Sequence, residues 1–590
     1  MKTLFIFAVT IAVILALSSP AHAFGAGNVP SYGYLEGKAF RHGDLEDTLK
    51  ELVMKYSSGL FGLGIGGNSK FSGLNVKRVY FGNWLRDYSQ AVDVGTLSKG
   101  LNTAVIKTLV WVMAFMSFGY ATAEFEVTEE RLGVYRPEEH IDNPRDYADN
   151  EDARRYDQRL RGPVNPQELE VDPRTGMKNY IANEQGGWAT STMCIRNALL
   201  RSIDLGRRSG GKDTAEFWEA LRLLGQALHT LEDFSAHSNY CELVLREMGF
   251  EVFAHCGDTT MIPSNNSRSG RVFPLVTGTF GGMDFVHSLL GEAADHISQT
   301  QISDLQDSMT KARQAPNGGD TALRSLLGQI PGQNLTKDLD DIEAQTRGPT
   351  AGGQYGGVGN AANNIEDILQ KIYPVFAFRD KVMKVLSNTI EKIPGLDSLV
   401  ESISEGLAVF VLSTIEPFIK PLVQQVMTQI NAGTEMVTNN DAQFKPWTDA
   451  YCSDPTHSML SKDHFSTYLN EPAGRIAVQV VTYTVERITK AWSDTSIDAY
   501  RTVEDILQVF HHPGVGQVRG IEIREKMFSV VQQWVSALGN DKSVVMEGLS
   551  KEGVRAGRNH DNKRKSAAFR GAPGGVGGGQ AQHVHGYNDG

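Results

Sequence analysis

Residues 225–240, GQALHTLEDFSAHSNY, set two imidazoles and a carboxylate at successive intervals of four: His229, Asp233 and His237. In a helix that interval returns a side chain to the same face, so the three ride one stripe while Leu228 and Leu231 turn to other surfaces. Imidazole nitrogen and carboxylate oxygen are the donors that zinc and similar divalent ions accept, and a helix leaves little ordering cost at the time of binding. The bland alternative is a solvated helix face with one core histidine. A third ligand in register weighs against it.

One helix face supplies two or three ligands, so a metal centre must recruit others from elsewhere in the chain. Donors of the right type stand at His42 in FRHGD, Asp87 in FGNWLRD and His140 in RPEEHID. Each taken alone also reads as a loop histidine or a capping aspartate. Farther on come His287 and Glu292, followed by Asp295 and His296. A spacing of five turns Glu292 about 140° from His287 on an ideal helix, and Glu292 with His296 is better spaced, so both pairings stay open. Asp454, His457, Asp463 and His464 offer further donors, as do His255 and Asp258, and these rank as secondary. No Ser-His-Asp or Cys-His arrangement stands out. The glycines at 59, 62, 64, 66 and 67 are not followed by Lys-Ser/Thr and so do not read as a phosphate cradle.

The elements that must position these donors are helical. Apolar spacing is helical over 44–56, most of 187–247, 283–313, 365–431 and 473–538, with an interruption at His511-His512-Pro513-Gly514. No comparable set of alternating strands appears, so the fold class expected is all-α. Residues 108–123 form an apolar run bounded by Lys107 and Glu124, short for a membrane span and suited to a buried helix. Residues 396–423 keep an amphipathic spacing up to breaks at Pro417 and Pro421, which fits bundle packing better than insertion at a membrane surface. The charged, proline-punctuated stretch 141–180 reads as a long surface excursion.

At the N-terminus Lys2, an apolar run from Leu4 to Leu17 and Ala21-His22-Ala23 make a secretory signal peptide, with the mature chain beginning at Phe24. The expected location is the secretory pathway, then the extracellular space, the cell wall or the plasma membrane. Export makes disulfides possible; Cys194, Cys241, Cys256 and Cys452 allow three pairings, of which Cys241 with Cys256 is the one favoured. Asn265 and Asn334 head glycosylation sequons. The organisation expected is a signal peptide at 1–23, a helical metal-binding domain at 24–315, a Gly-rich linker at 316–364, a second helical region at 365–545 packing on the first, and a disordered basic and Gly-rich tail at 546–590. A net charge of −12 argues against nucleic acid as the main partner, since such binding rests on clustered Lys and Arg.

Along the chain stand a histidine, His42; W-x-x-D, Trp84 to Asp87; E-H-x-D, Glu139 to Asp142; and a helical H-x-x-x-D followed closely by His237. That order resembles the superfamily of zinc-dependent bacterial phospholipases C and fungal single-strand nucleases, through short motifs only. A more specific resemblance is to the fungal heterokaryon-incompatibility Het-C family. It is carried by Tyr80 to Asp87, Gly225 to Tyr240, Thr277 to Gly282, Asp454 to His464, the leader and the glycine-rich end, and so spans most of the chain.

The wider superfamily implies a helical enzyme whose one to three zinc ions would be held here by His42, Asp87, His140, His229, Asp233 and His237, with His287 and Glu292 on the helix that follows. It also implies ligation by the amino group and carbonyl of the mature first residue, here Phe24 in place of tryptophan. Two departures stand out. His237 follows Asp233 by four residues rather than a wider gap, and Gly291 occupies the fourth position after His287. The implied chemistry is phosphodiester hydrolysis, with Asp87 orienting or deprotonating the attacking water. The Het-C resemblance implies non-self recognition between fungal strains and the associated cell death, with membrane phospholipid and an allelic or unlinked incompatibility protein as partners. The alternatives are an active secreted phosphodiesterase or phospholipase and a non-catalytic scaffold stabilised by metal.

Overall fold

The computed structural model describes residues 48–49, 73–98, 100–280, 320–328, 330, 334–346, 365–389, 397–434, 442–462 and 467–560. Phe24, His42, His287, Glu292, Asp295, His296, Asp463 and His464 lie outside the described residues, as do the signal peptide and the end of the tail. What is described is helical, apart from turns and one short ribbon in which Ile262–Pro263 pairs antiparallel with Arg271–Val272.

Helix α1 runs over Gly73–Tyr88 and α2 over Thr103–Phe118. The apolar run expected at 108–123 thus starts and stops five residues early, because its ends are set by caps. The Asn102 side chain accepts from the Val105 N–H at 2.9 Å, and Gly119 takes a left-handed φ of 70°. Helix α3, Ser191–Ser209, opens on the Thr190 cap, and α4 follows over Ala215–His237, then α5 over Tyr240–Glu247.

Helix α4 is the central element. It packs against α1, against α3 and against the later helix Asn470–Ser493. From Ala227 to Ser235 every residue is buried. Burying each of Leu221, Leu224, Leu228 and Leu231 contributes about 1.5–3 kcal/mol, enough to carry polar residues inside as well. The α1 contact depends on a glycine notch. A Cβ on Gly82 would sit 1.9 Å from the Arg222 carbonyl oxygen, and one on Gly225 would sit 1.8 Å from that of Val79. The two backbones therefore touch, which brings the C-terminal turn of α1 beside the middle of α4.

Residues 316–364 are not simply a connector. They contain α6, Asp320–Leu327, and α7, Leu335–Thr346, whose Leu323, Leu327, Leu335 and Leu339 are buried. That four-residue spacing lets two short helices cover α8, Ile365–Thr389, and α9, Asp397–Thr434. Pro417 and Pro421 do not end α9. Pro417 is exposed, so its ring sits on the outer face of the helix. Within α9, Gly406–Val423 is long and apolar enough to cross a membrane, and half of that window is buried against the other helices. Helix α2 joins this group by packing Trp111 edge-on and Phe115 at a tilt against Phe376 of α8.

The chain then returns to α4. Helix α10, Asn470–Ser493, packs against α3 and α4, with the Trp492 indole pressed on Gly206 and donating to the Ser202 carbonyl at 3.0 Å. Helices α11, Ala499–Ile506, and α12, Glu522–Ala537, pack against α10. The tail expected from 546 begins too early, since α13, Lys542–Gly548, and α14, Lys551–Arg555, are ordered by buried Val545, Leu549 and Val554.

Two further expectations are corrected. The stretch 141–180 is a surface excursion only in part: Glu151, Arg154, Tyr156 and Arg174 are exposed, but Ile141, Asp142, Tyr147, Leu160 and Lys178 are buried, and Arg161 reaches both Glu138 and Glu168 inside the protein. All four cysteines are free, so Cys241 and Cys256 form no disulfide; burial pushes the Cys241 thiol up to about 12, which leaves it unreactive.

Candidate metal centre

The turn Pro137–His140 is clamped between α1 and α4. Buried Arg86 of α1 pairs with Glu139, and Thr230 of α4 donates to the Glu139 carbonyl at 2.7 Å. Asn83 of α1 donates to Glu232 of α4 at 2.9 Å, which holds the same two helices in register.

The clamp delivers the His140 ring to α4. Its Nδ1 lies 3.2 Å from His229 Nε2, which in turn lies 3.2 Å from Asp233 Oδ2. All three residues are buried, and their donor atoms lie within 4.8 Å of one another. The protons can be placed. Ser89 Oγ donates to the Arg86 carbonyl at 2.6 Å, so toward His140 Nε2, at 3.1 Å, it acts as acceptor. Nε2 then carries the hydrogen and Nδ1 keeps its lone pair toward His229. Bonds of 2.0–2.1 Å to a tetrahedral zinc place neighbouring donors about 3.3 Å apart, and the two separations of 3.2 Å at His229 match that spacing. Half-buried Asp87 borders it through Gln90, whose Nε2 lies 3.2 Å from both Asp87 Oδ1 and His140 Nδ1.

His237, the third member of the stripe, is held elsewhere. Its Nδ1 donates to the His140 carbonyl at 2.8 Å, and its ring meets that of His457 at 4.7 Å between centroids. With Asp142 these two histidines form a second buried group of donor atoms within 4.8 Å of one another. Asp142 Oδ1 lies 2.9 Å from His457 Nδ1 and 4.0 Å from His237 Nδ1, while Oδ2 accepts from the Tyr135 hydroxyl at 3.0 Å. Ile141, between His140 and Asp142, has a φ of 58° and a ψ of 33° although it is β-branched and fully buried. That backbone costs about 1–3 kcal/mol, and it aims the flanking residues at two different donor groups.

A strap built from Thr277 to Phe280 brings in His457. The Asn143 N–H donates to the Gly278 carbonyl at 2.8 Å, the Thr279 N–H to that of Pro455 at 2.8 Å, and the His457 N–H to that of Thr279 at 2.9 Å. A Cβ on Gly278 would lie 2.3 Å from His457 Cα, so glycine is what permits this approach. Asp454 anchors the same loop through Lys178 and Asn143, each at 2.8 Å. Burial alone would raise its carboxyl, but those partners and Arg145 hold it below the usual range.

Two other secondary donors, His255 and Asp258, are absorbed into structure, Asp258 through an ion pair with Lys551 at 2.9 Å. His255 lies 3.6 Å from Glu242, which pairs at 2.8 Å with buried Lys462, and burial lowers the His255 pKa to about 3.

A family model for heterokaryon incompatibility protein Het-C matches residues 6–563. The chain belongs to the Het-C family. No curated protein and no solved structure matches it. The Het-C match takes in every donor described above, from Asp87 to His457.

Asp142 is not singled out as a ligand from the sequence, and His457 ranks there only as a secondary donor. Asp142 sits two residues from His140 in the same E-H-x-D motif, which was a usable signal. His457 had none stronger than its neighbours, because the strap that delivers it joins residues more than 170 positions apart.

Proposed function

We propose that this Het-C protein acts in incompatibility through a divalent-metal centre held by His140, His229 and Asp233, and that the centre hydrolyses phosphodiesters of membrane phospholipid. The observation that carries this reading is the convergence of three buried donors from separate segments at zinc spacing, with the half-buried Asp87 carboxylate beside them. An ion bound there would supply Lewis-acid catalysis of ester hydrolysis. The chain's part is to hold His140 in one tautomer through Ser89, and to orient and deprotonate a water at Asp87, which Gln90 holds beside the centre. A secretory leader would bring such an enzyme to the membrane it attacks, and phospholipid damage would account for cell death. Recognition of an allelic or unlinked partner would then decide when the activity is released.

The test is release of phosphocholine from phosphatidylcholine vesicles by the full-length, zinc-loaded protein. Activity that disappears on chelation and in Asp87→Asn, with the fold intact by circular dichroism, supports the reading. Metal-loaded but inactive protein would instead make the centre a stabilising scaffold. Exchanging this chain for a diverged allele should alter compatibility between strains; an unchanged outcome counts against the incompatibility role.

A further inference from the structure

The geometry points to a second divalent-cation site, formed by Asp142, His237 and His457 and distinct from the one at His140, His229 and Asp233. It depends on the proposed function only in taking the neighbouring group as an ion site.

Asp142 and His237 are buried and the His457 side chain is 12% exposed, and they come from three segments: the turn after His140, the end of α4, and the loop that the Thr277–Phe280 strap holds down. The Asp142 Oδ1 separation of 2.9 Å from His457 Nδ1 is near the spacing of about 3.3 Å between donors on a four-coordinate zinc, and one donor atom from each of the three residues lies within 4.8 Å of the others. The hydrogen bond from His237 Nδ1 to the His140 carbonyl fixes that tautomer and leaves Nε2 as a lone-pair donor, the way metal-bound imidazoles are commonly oriented. The Tyr135 hydroxyl on Asp142 Oδ2 does the same for the carboxylate, leaving Oδ1 toward the rings. The donor set, two imidazoles and one carboxylate, suits zinc or a similar divalent ion rather than calcium or magnesium, which take oxygen ligands.

A purely structural network is the competing account. It explains the individual hydrogen bonds but not the backbone. Ile141 is held in a left-handed conformation that a β-branched residue rarely adopts, with the effect that His140 and Asp142 serve separate groups. An extended or right-handed residue there would swing one of them away.

Metal content of the purified full-length chain, dialysed against zinc and counted by plasma mass spectrometry, tests the site. His457→Ala and Asp142→Asn should each bind one zinc fewer per chain than wild type while keeping the wild-type circular dichroism spectrum. An unchanged count in folded protein overturns the second site. His229→Ala reports on the other centre: if it alone leaves the count unchanged, the proposed function fails and the second site stands. His457→Cys loaded with cobalt should gain a thiolate-to-cobalt charge-transfer band, which a merely structural histidine would not produce. A folded, cobalt-loaded variant without that band also overturns the site.

Discussion

Ser89 shows how one hydroxyl can decide what an imidazole does. Its proton goes to the Arg86 carbonyl, so it can only accept from His140, and that choice leaves His140 Nδ1 facing His229 and Asp233. Ser89→Ala removes the acceptor without changing the charge or the size of the site by much. The expected result is zinc binding about 10- to 100-fold weaker, as for other groups that orient a metal-binding histidine. Competition against a chromophoric chelator measures this, and an affinity equal to wild type would mean that Ser89 does not set the tautomer. Asp233 and His229 were legible as a pair because both lie on one helix, where a spacing of four has a fixed meaning. His237 shares that spacing but not that centre, because the helix ends there and the His140 carbonyl turns its ring toward Asp142 and His457.

At the scale of elements, the glycine notch between α1 and α4 links packing to function. Gly225→Ala would place a methyl carbon 1.8 Å from the Val79 oxygen, and that oxygen belongs to rigid helical backbone, so the helices must part. Overpacking of this kind typically costs about 1–3 kcal/mol, and the same movement would carry Asp87 and Gln90 away from His229. A lower urea midpoint together with weaker zinc binding is therefore expected in Gly225→Ala. A fall in stability with unchanged zinc affinity would show that the crossing supports the fold but not the centre. The helices themselves were readable from apolar periodicity, and their ends moved to the nearest cap, as at Asn102 and Gly119. What periodicity could not reveal was the strap from Thr277 to Phe280 or the buried anchor points within 141–180. Both are held by hydrogen bonds and ion pairs between distant segments, such as Lys178 with Asp454, and these leave no local pattern.

Across the whole molecule, buried histidines make the fold sensitive to acid. His511 stands against Tyr240 with its Nδ1 on the Val509 carbonyl, and His512 spans from the Phe273 carbonyl to the Gly514 N–H. Burial lowers their pKa values from 6.5 to about 3 and about 4, so the folded protein keeps both neutral. The unfolded chain takes up protons at these sites below pH ~6.5 and the folded chain does not, so their contribution is complete above that pH and is lost as pH falls toward 4. Each histidine should remove about 1.4 kcal/mol per pH unit across that interval. Urea midpoints measured on metal-free protein at pH 7 and pH 5 check the sign. His512→Asn, which keeps a side-chain acceptor for the Gly514 N–H but cannot titrate, should shrink the difference between the two pH values even if it lowers stability at both. An unchanged difference would place the acid sensitivity in other groups. Chelated protein is the right material for this comparison, because protons would also compete with an ion bound at His140, His229, His237 and His457, and that loss would have the same sign.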